Sequence, residues 1–241
     1  MRIFLAGASG VIGRRLIPLL LAERHEVTGT TRSADKAAEL KAAGVVPMIV
    51  DVFDGRAVHD AVLSARPEVV VHQLTDLPDV IDPARLGEVL ARNSRLRIEG
   101  TANLVAAALA AGVRRLIAQS IAFAYADGPE PHAETDPLNA PEGEAPGAIT
   151  ARGVRALEQA VLNAPGIEGI VLRYGRLYGP GTWNTPNVRA PLHVDAAAHA
   201  ALLALKRGAP GIYNIAEDDG AVSIAKARTE LGFDPAFRLK A

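Results

Sequence analysis

Three glycines, Gly7, Gly10 and Gly13, stand three apart directly after an apolar run, Ile3 to Ala6, and ahead of a helical pattern, Leu16 to Ala22. A glycine at each place removes the Cβ, so the backbone can turn sharply and come close to a phosphate. The free N–H groups and the positive end of the following helix then face that phosphate. The chemistry available to such a turn is to hold a pyrophosphate, and the strand before it and helix after it are the context that marks a dinucleotide site. Gly7, Ser9, Gly10, Val11, Ile12 and Gly13 are therefore expected to bind a dinucleotide.

The end of the second apolar run bears on which dinucleotide. NAD-selective folds place a carboxylate there to accept from the adenosine ribose hydroxyls, and that carboxylate would repel a 2′-phosphate. Here the chain reads Gly29-Thr30-Thr31-Arg32-Ser33, with Thr31 where the acid would fall. Arg32 offers a planar fork for a phosphate and Ser33 a hydroxyl, with Arg14 or Lys36 available as a second cation. The pattern favours NADP, with NAD the lesser expectation.

The elements that must position these residues alternate as a doubly wound parallel α/β sheet requires. Strands are expected at about Ile3–Ala6, Glu26–Thr30, Val46–Val50, Val69–His72, Arg115–Gln119, Gly169–Tyr174 and Gly211–Ile215, with helices between them, the longest from Pro83 to Ala111. The stretch Asp127 to Gly147 holds five prolines, six acidic residues and no Lys or Arg, and reads as a loop past the fifth strand. With 241 residues and 49% hydrophobic content, the chain suits a single Rossmann-type domain over 1–241, with substrate-side segments at about 120–148, 176–194 and 216–241. A formal net charge of −1 argues against nucleic acid as a partner. Arg14-Arg15 and the apolar residues after them read as the first helix rather than an export signal, and no apolar run approaches the roughly 20 residues of a membrane span. The absence of cysteine suits a reducing compartment, and a cytoplasmic location is expected. His72 and His193 have no ligand spacing to another His or acid, so no metal is expected, and Asp195 reads as the N-cap of a helix from Ala196 to Leu205.

Further motifs appear in order along the chain. Gly100-Thr101-Ala102-Asn103-Leu104, Arg173-Tyr174 with Tyr178-Gly179-Pro180-Gly181, His193-Val194-Asp195, Ile212-Tyr213-Asn214-Ile215 and Leu231-Gly232-Phe233-Asp234-Pro235 follow the glycine turn. Together they resemble the extended or atypical branch of the short-chain dehydrogenase/reductase superfamily, the epimerase/dehydratase-like proteins, over nearly the whole chain. That resemblance implies that Asp51-Val52 contacts adenine, that Gln73-Leu74-Thr75 lines the ribose and pyrophosphate, and that Tyr174 belongs to the cofactor site. It also implies dimerisation through the fourth and fifth helices, with Leu104, Val105, Ala108 and Leu109 available for packing, so a homodimer is expected.

The catalytic positions depart from the family. Its members use a serine or threonine after the fifth strand and a Tyr-x-x-x-Lys pair on the next helix. Aligned on Glu158, the tyrosine position is Thr150 and the lysine position Val154, and no tyrosine in the chain has a lysine four residues on. Aligned on Tyr125, the hydroxyl position is Ile121, with Ser120 beside it, and the family asparagine before Gly100 is Arg97. A positioned general acid contributes about 10²–10⁴-fold, and a threonine cannot replace an activated tyrosine. Tyr125 and Ser120 are the best proton donors near the ligand edge, while Tyr125, Tyr178 and Trp183 are the expected substrate contacts. Trp183, the only tryptophan, stands in a polar Gly/Pro loop with little reason to be core. The residues imply an NAD(P)-dependent oxidoreductase acting on a small carbonyl, alcohol or imine. A non-catalytic NADP-binding or redox-sensing module is the alternative, and a nucleotide-sugar epimerase or dehydratase a further one, against which the short segment between Gly181 and Pro191 counts.

Overall fold

Strands made of unbroken β-branched and aliphatic residues belong in a parallel sheet covered on both faces, and the computed structural model, which describes residues 1–78, 82–143, 145–182 and 184–239, has that form. β1 (Arg2–Ala6), β2 (Glu26–Thr31), β3 (Val46–Ile49), β4 (Val69–His72), β5 (Arg115–Ile121) and β6 (Glu168–Tyr174) alternate with helices. With a later strand at Gly211–Ile215, labelled β9 below, they form one parallel sheet in the order β3-β2-β1-β4-β5-β6-β9. All seven strands expected from the sequence are present.

The pleat sorts successive residues onto opposite faces, and the core divides accordingly. Ile3, Leu5, Val69, Val71, Ile117, Ile170 and Leu172 pack on one side, against α1 (Val11–Ala22) and α7 (Val194–Ala204). Phe4, Ala6, Val70, Leu116, Ala118 and Val171 pack on the other, against α3 (Gly55–Ala65), α5 (Thr101–Ala110) and α6 (Pro146–Leu162). α2 (Ala34–Ala42) joins β2 to β3.

The expected long helix from Pro83 is not regular. It runs as α4 (Leu86–Arg95), a π-turn at Leu96–Gly100 and then α5. At Gly100 a Cβ would lie 3.0 Å from a Val52 methyl, so the glycine allows the helix to press against the loop after β3. Two further short strands, β7 (Arg176–Tyr178) and β8 (Pro191–His193), pair with each other beside the main sheet. The segment from Asp127 is a loop, as expected, but tied down: Asn139 N–H donates to the Ala124 carbonyl at 2.8 Å and Ser223 N–H to the His132 carbonyl at 2.8 Å.

Two expectations need correction. Asp195 is not the N-cap of α7; His193 is, in extended conformation, with its Nδ1 accepting from Asp195 N–H. Leu104, Val105 and Ala108 are buried inside the subunit, because α5 turns them towards the sheet; of the four residues named for self-association, only Leu109 is exposed. Among the described residues, no helix is long and apolar enough to cross a membrane.

Candidate functional site

The strand order reverses between β2 and β4, on either side of β1, and there the connections diverge to opposite faces and open a crevice at the carboxyl ends. A cleft of about 540 Å³ occupies that place. Gly7, Ser9, Gly10 and Val11 form its floor at the start of α1, where Gly10 N–H closes the turn on the Gly7 carbonyl at 3.0 Å. Gly7 has φ +87° and a Cβ on it would lie 2.7 Å from the Gln73 carbonyl oxygen. Ile12 and Gly13 lie buried beneath the turn, and at Gly13 a Cβ would meet the Gly7 oxygen at 2.3 Å. The glycines thus bring the turn down onto the end of β4, leaving the cleft above free.

Thr31, Arg32 and Ser33 line the far end with Arg14 and Lys36. Thr31 Oγ1 accepts from Ser9 Oγ and from Ser33 N–H, both at 3.2 Å, so a neutral hydroxyl occupies the position of the acid. Ser33 caps α2 by accepting from Lys36 N–H, which leaves its own proton to donate. Arg32 is mostly exposed, with one contact at 3.4 Å to Asp76. Val52, Gln73, Leu74 and Thr75 line the cleft. Asp51 is not among the lining residues; its carboxylate accepts from Phe53 N–H at 3.0 Å and shapes the loop.

Gln73 carries an orphan. Its Nε2 donates to the Tyr174 hydroxyl at 3.3 Å, while its buried Oε1 has no partner. A buried acceptor left unpaired costs about 1–3 kcal/mol, so its place in the cleft wall fits a ligand hydroxyl or amide. Tyr174 is almost wholly buried, and that burial pushes its phenol far above its ordinary value. It holds Gln73 rather than exchanging protons.

His72, at the end of β4, accepts from Leu74 N–H at Nδ1 and faces Thr101 Oγ1 at 3.0 Å with Nε2, which the network assigns as the protonated nitrogen. Complete burial, with Arg97 adding repulsion, pulls its pKa down to about 4. The unfolded chain then binds the extra proton below the ordinary histidine value of about 6.5, so stability falls as the pH drops from there towards 4. At pH 5 the loss is about 2 kcal/mol. Thermal midpoints at pH 7 and pH 5 should converge in His72→Gln relative to the wild type, and an unchanged acid dependence would refute the assignment.

On the β5–β6 side a buried network gathers most of the expected chemical groups. Arg173 donates to both Glu158 oxygens, at 2.9 and 2.7 Å, in a pair only 4% and 6% exposed. Ser120 Oγ donates to Glu158 at 2.7 Å. Arg173 also donates to the Tyr125 hydroxyl at 2.9 Å, and that hydroxyl donates to Asn214 Oδ1 at 2.6 Å. Burial raises the Tyr125 pKa against the pull of Arg173. Tyr125 and Ser120 therefore stand together, but each proton is already held by an acceptor inside the network. Val154 is fully buried one turn before Glu158. Arg97 is nine-tenths buried, its guanidinium with no hydrogen bond among the described residues, and burial lowers its pKa to about 10 while Glu158 opposes the shift. It brings a positive charge to the region where Val154 leaves none.

Tyr178 donates to Glu217 at 2.6 Å and accepts from Arg238 at 2.9 Å, which ties β7 to the C-terminal segment. Trp183 lies outside the described residues. Nothing in the sequence pattern singles out Phe123 and Arg176, whose side chains meet past the ends of β5 and β6; only strand register could have paired them.

The comparisons agree with this geometry. A protein of a Streptomyces species, named 3-diazoavenalumate denitrifying reductase, is 42% identical over 242 residues, covering 92% of this chain and 77% of that protein. The UDP-glucose 4-epimerase of Thermus thermophilus in complex with NAD superposes with a TM-score of 0.73 at 26% identity, over 91% of this chain and 79% of that one. The UDP-glucose 4-epimerase of Thermotoga maritima with UDP-glucose gives 0.80 at 19% identity, over 99% and 94%. The profile of the NAD dependent epimerase/dehydratase family matches residues 3–191. With its glycine turn, parallel sheet and crevice at the strand reversal, this chain belongs to the NAD dependent epimerase/dehydratase family.

Proposed function

We propose that the protein is an NADPH-dependent cytoplasmic reductase whose substrate takes a hydride without needing a proton from the protein, and that an aryl diazonium group is that substrate's reactive centre. The observation that carries this reading is the commitment of the nearby hydroxyl protons: Tyr125 donates to Asn214 and Ser120 to Glu158, and no Tyr-x-x-x-Lys pair is present to replace them. The similar Streptomyces protein, by its name a denitrifying reductase of a diazo compound, supports the same class of chemistry. A carbonyl reduction would leave an alkoxide in need of a proton. A diazonium does not: with a hydride from the bound dinucleotide, the new C–H bond would form as the C–N bond broke, and the bond pair would leave with N₂.

The residues present suit that cofactor. The glycine turn and the start of α1 would hold the pyrophosphate, Gln73 Oε1 would accept from a ribose hydroxyl or the carboxamide, and Arg32 with the Ser33 hydroxyl would take the 2′-phosphate. Segments 120–148, 176–194 and 216–241 form the substrate side, with Tyr125 and Ser120 holding its wall through Arg173 and Glu158. A homodimer would use the exposed Ile98 and Leu109, and light scattering reads it directly.

Turnover decides the reading. With NADPH and an aryl diazonium acid, N₂ should be released one for one with NADPH oxidised, and Tyr125→Phe should hold kcat within about threefold. A general acid at Tyr125 would instead show a fall of about 10²-fold or more. NADPH should bind at least about tenfold more tightly than NADH, an advantage lost in Arg32→Ala. Tight NADPH binding without turnover of any acceptor would replace this reading with a sensing module.

A further inference from the structure

β5 and β6 run in register to a matched pair, Ile121 opposite Tyr174. Two residues beyond that pair, past the end of β5 and at the start of β7, stand Phe123 and Arg176, and the Arg176 guanidinium carbon lies 4.2 Å from the centroid of the Phe123 ring. The pair sits on the carboxyl edge of the sheet, next to Tyr174, whose hydroxyl contacts Gln73 in the wall of the cofactor cleft. The residues assigned to the 2′-phosphate lie at the other end, just past β2, so this is the nicotinamide side of the crevice.

Phe123 is 42% exposed and presents its ring at the ligand-binding edge. Arg176 is half-buried, and among the described residues its guanidinium has no hydrogen bond or ion pair, only the ring beneath it. Five carboxylates on the surrounding segments have other partners. Glu130 pairs with Arg189, Asp136 with His132, and Glu217 with Tyr178 and Arg238. Glu134 accepts from Asn214 N–H, and Asp219 from the Ala190 and Ala221 N–H groups. A guanidinium over a ring spends its charge on the ring face and keeps its planar N–H fork, a shape that suits a carboxylate held by two parallel bonds.

We propose that Arg176, stacked on Phe123, is the subsite for the carboxylate of a planar aromatic acid, so that the substrate class is an aryl carboxylate. This deepens the reductase reading and rests on it for a substrate beside the cofactor. Arg176 takes the carboxylate in a bidentate pair, and Phe123 supplies the apolar wall for the arene. The acid is thereby turned with its charged end away from the glycine turn and its ring towards the nicotinamide end of the cleft.

Calorimetry with unreactive probes tests it, using 4-hydroxycinnamate and its methyl ester in the presence of NADP⁺. The wild type should bind the acid at least about tenfold more tightly than the ester. Arg176→Gln should abolish that preference and leave ester affinity unchanged, Arg176→Lys should restore part of it, and Phe123→Leu should weaken both probes. Thermal midpoints close to the wild type would confirm that the variants fold. Equal binding of acid and ester by the wild type, no binding of either, or a preference retained in Arg176→Gln would overturn the assignment. Acid preference without N₂ release from a diazonium would sink the diazonium chemistry and leave this subsite standing, whereas N₂ release without acid preference would do the reverse.

Discussion

Glu158→Ala is expected to destabilise the protein by about 3–5 kcal/mol, the usual cost of breaking a buried ion pair from one side. The Arg173 guanidinium would remain 4% exposed with two of its donors facing a void, and the Ser120 hydroxyl would lose its acceptor. In a chain of this size the loss corresponds to a fall in Tm of roughly 6–20 °C. The effect should reach beyond the pair, because Arg173 also anchors Tyr125, and through it Asn214 on β9. A double variant, Glu158→Met with Arg173→Met, removes both charges and should recover a substantial part of the stability, since an apolar pair of similar volume avoids burying an uncompensated ion. Urea titrations of the two single variants and the double one measure this. A loss below about 1 kcal/mol in Glu158→Ala, or strict additivity in the double variant, would show that the network does not brace this edge of the sheet.

Gly13→Ala is expected to weaken dinucleotide binding by at least about 100-fold, or roughly 2.7 kcal/mol, and to lower stability as well. The added methyl would lie 2.3 Å from the Gly7 oxygen and 2.5 Å from the Ala8 oxygen, and both are backbone atoms that no rotamer change can move. Relief requires α1 to lift from the turn, which takes the N–H groups at its start out of line with the pyrophosphate. Gly87→Ala is the control. It stands exposed in α4 with nothing within 4 Å of a built Cβ and an ordinary φ, so it should be neutral or slightly stabilising. NADPH titrations followed by nucleotide fluorescence would read both variants, and undiminished affinity in Gly13→Ala would remove the close-approach argument.

Much of the fold is legible in the chain itself, because its signals are local. Val69-Val70-Val71 can only be a strand buried on both faces, and three glycines between an apolar run and an amphipathic helix can only be a tight strand–helix turn. Thr31 in the acid position and Arg32 beside it are likewise readable from one strand end. What escapes is set by contacts far apart in the sequence or by local geometry without a residue signature. β7 and β8 are three residues each, too short for any period to show. The π-turn at Leu96–Gly100 follows from helix packing on Val52, which lies before α3 in the chain. His193 displaces Asp195 as the cap because its backbone is extended while Asp195 is already helical, a choice made by φ and ψ rather than by side-chain type. Tyr125 and Ser120 could be placed at the ligand edge from their motif, but the direction of their protons is decided by Asn214 and Glu158, 89 and 38 residues away. The meeting of Phe123 with Arg176 depends on the register of β5 against β6. The sequence by itself determined the scaffold and the glycine turn at the strand reversal, since apolar periodicity and missing Cβ atoms act over a few residues. Only the tertiary structure decided which polar groups remain free to meet a substrate, because a hydrogen bond is settled by whichever distant partner the fold brings within about 3 Å.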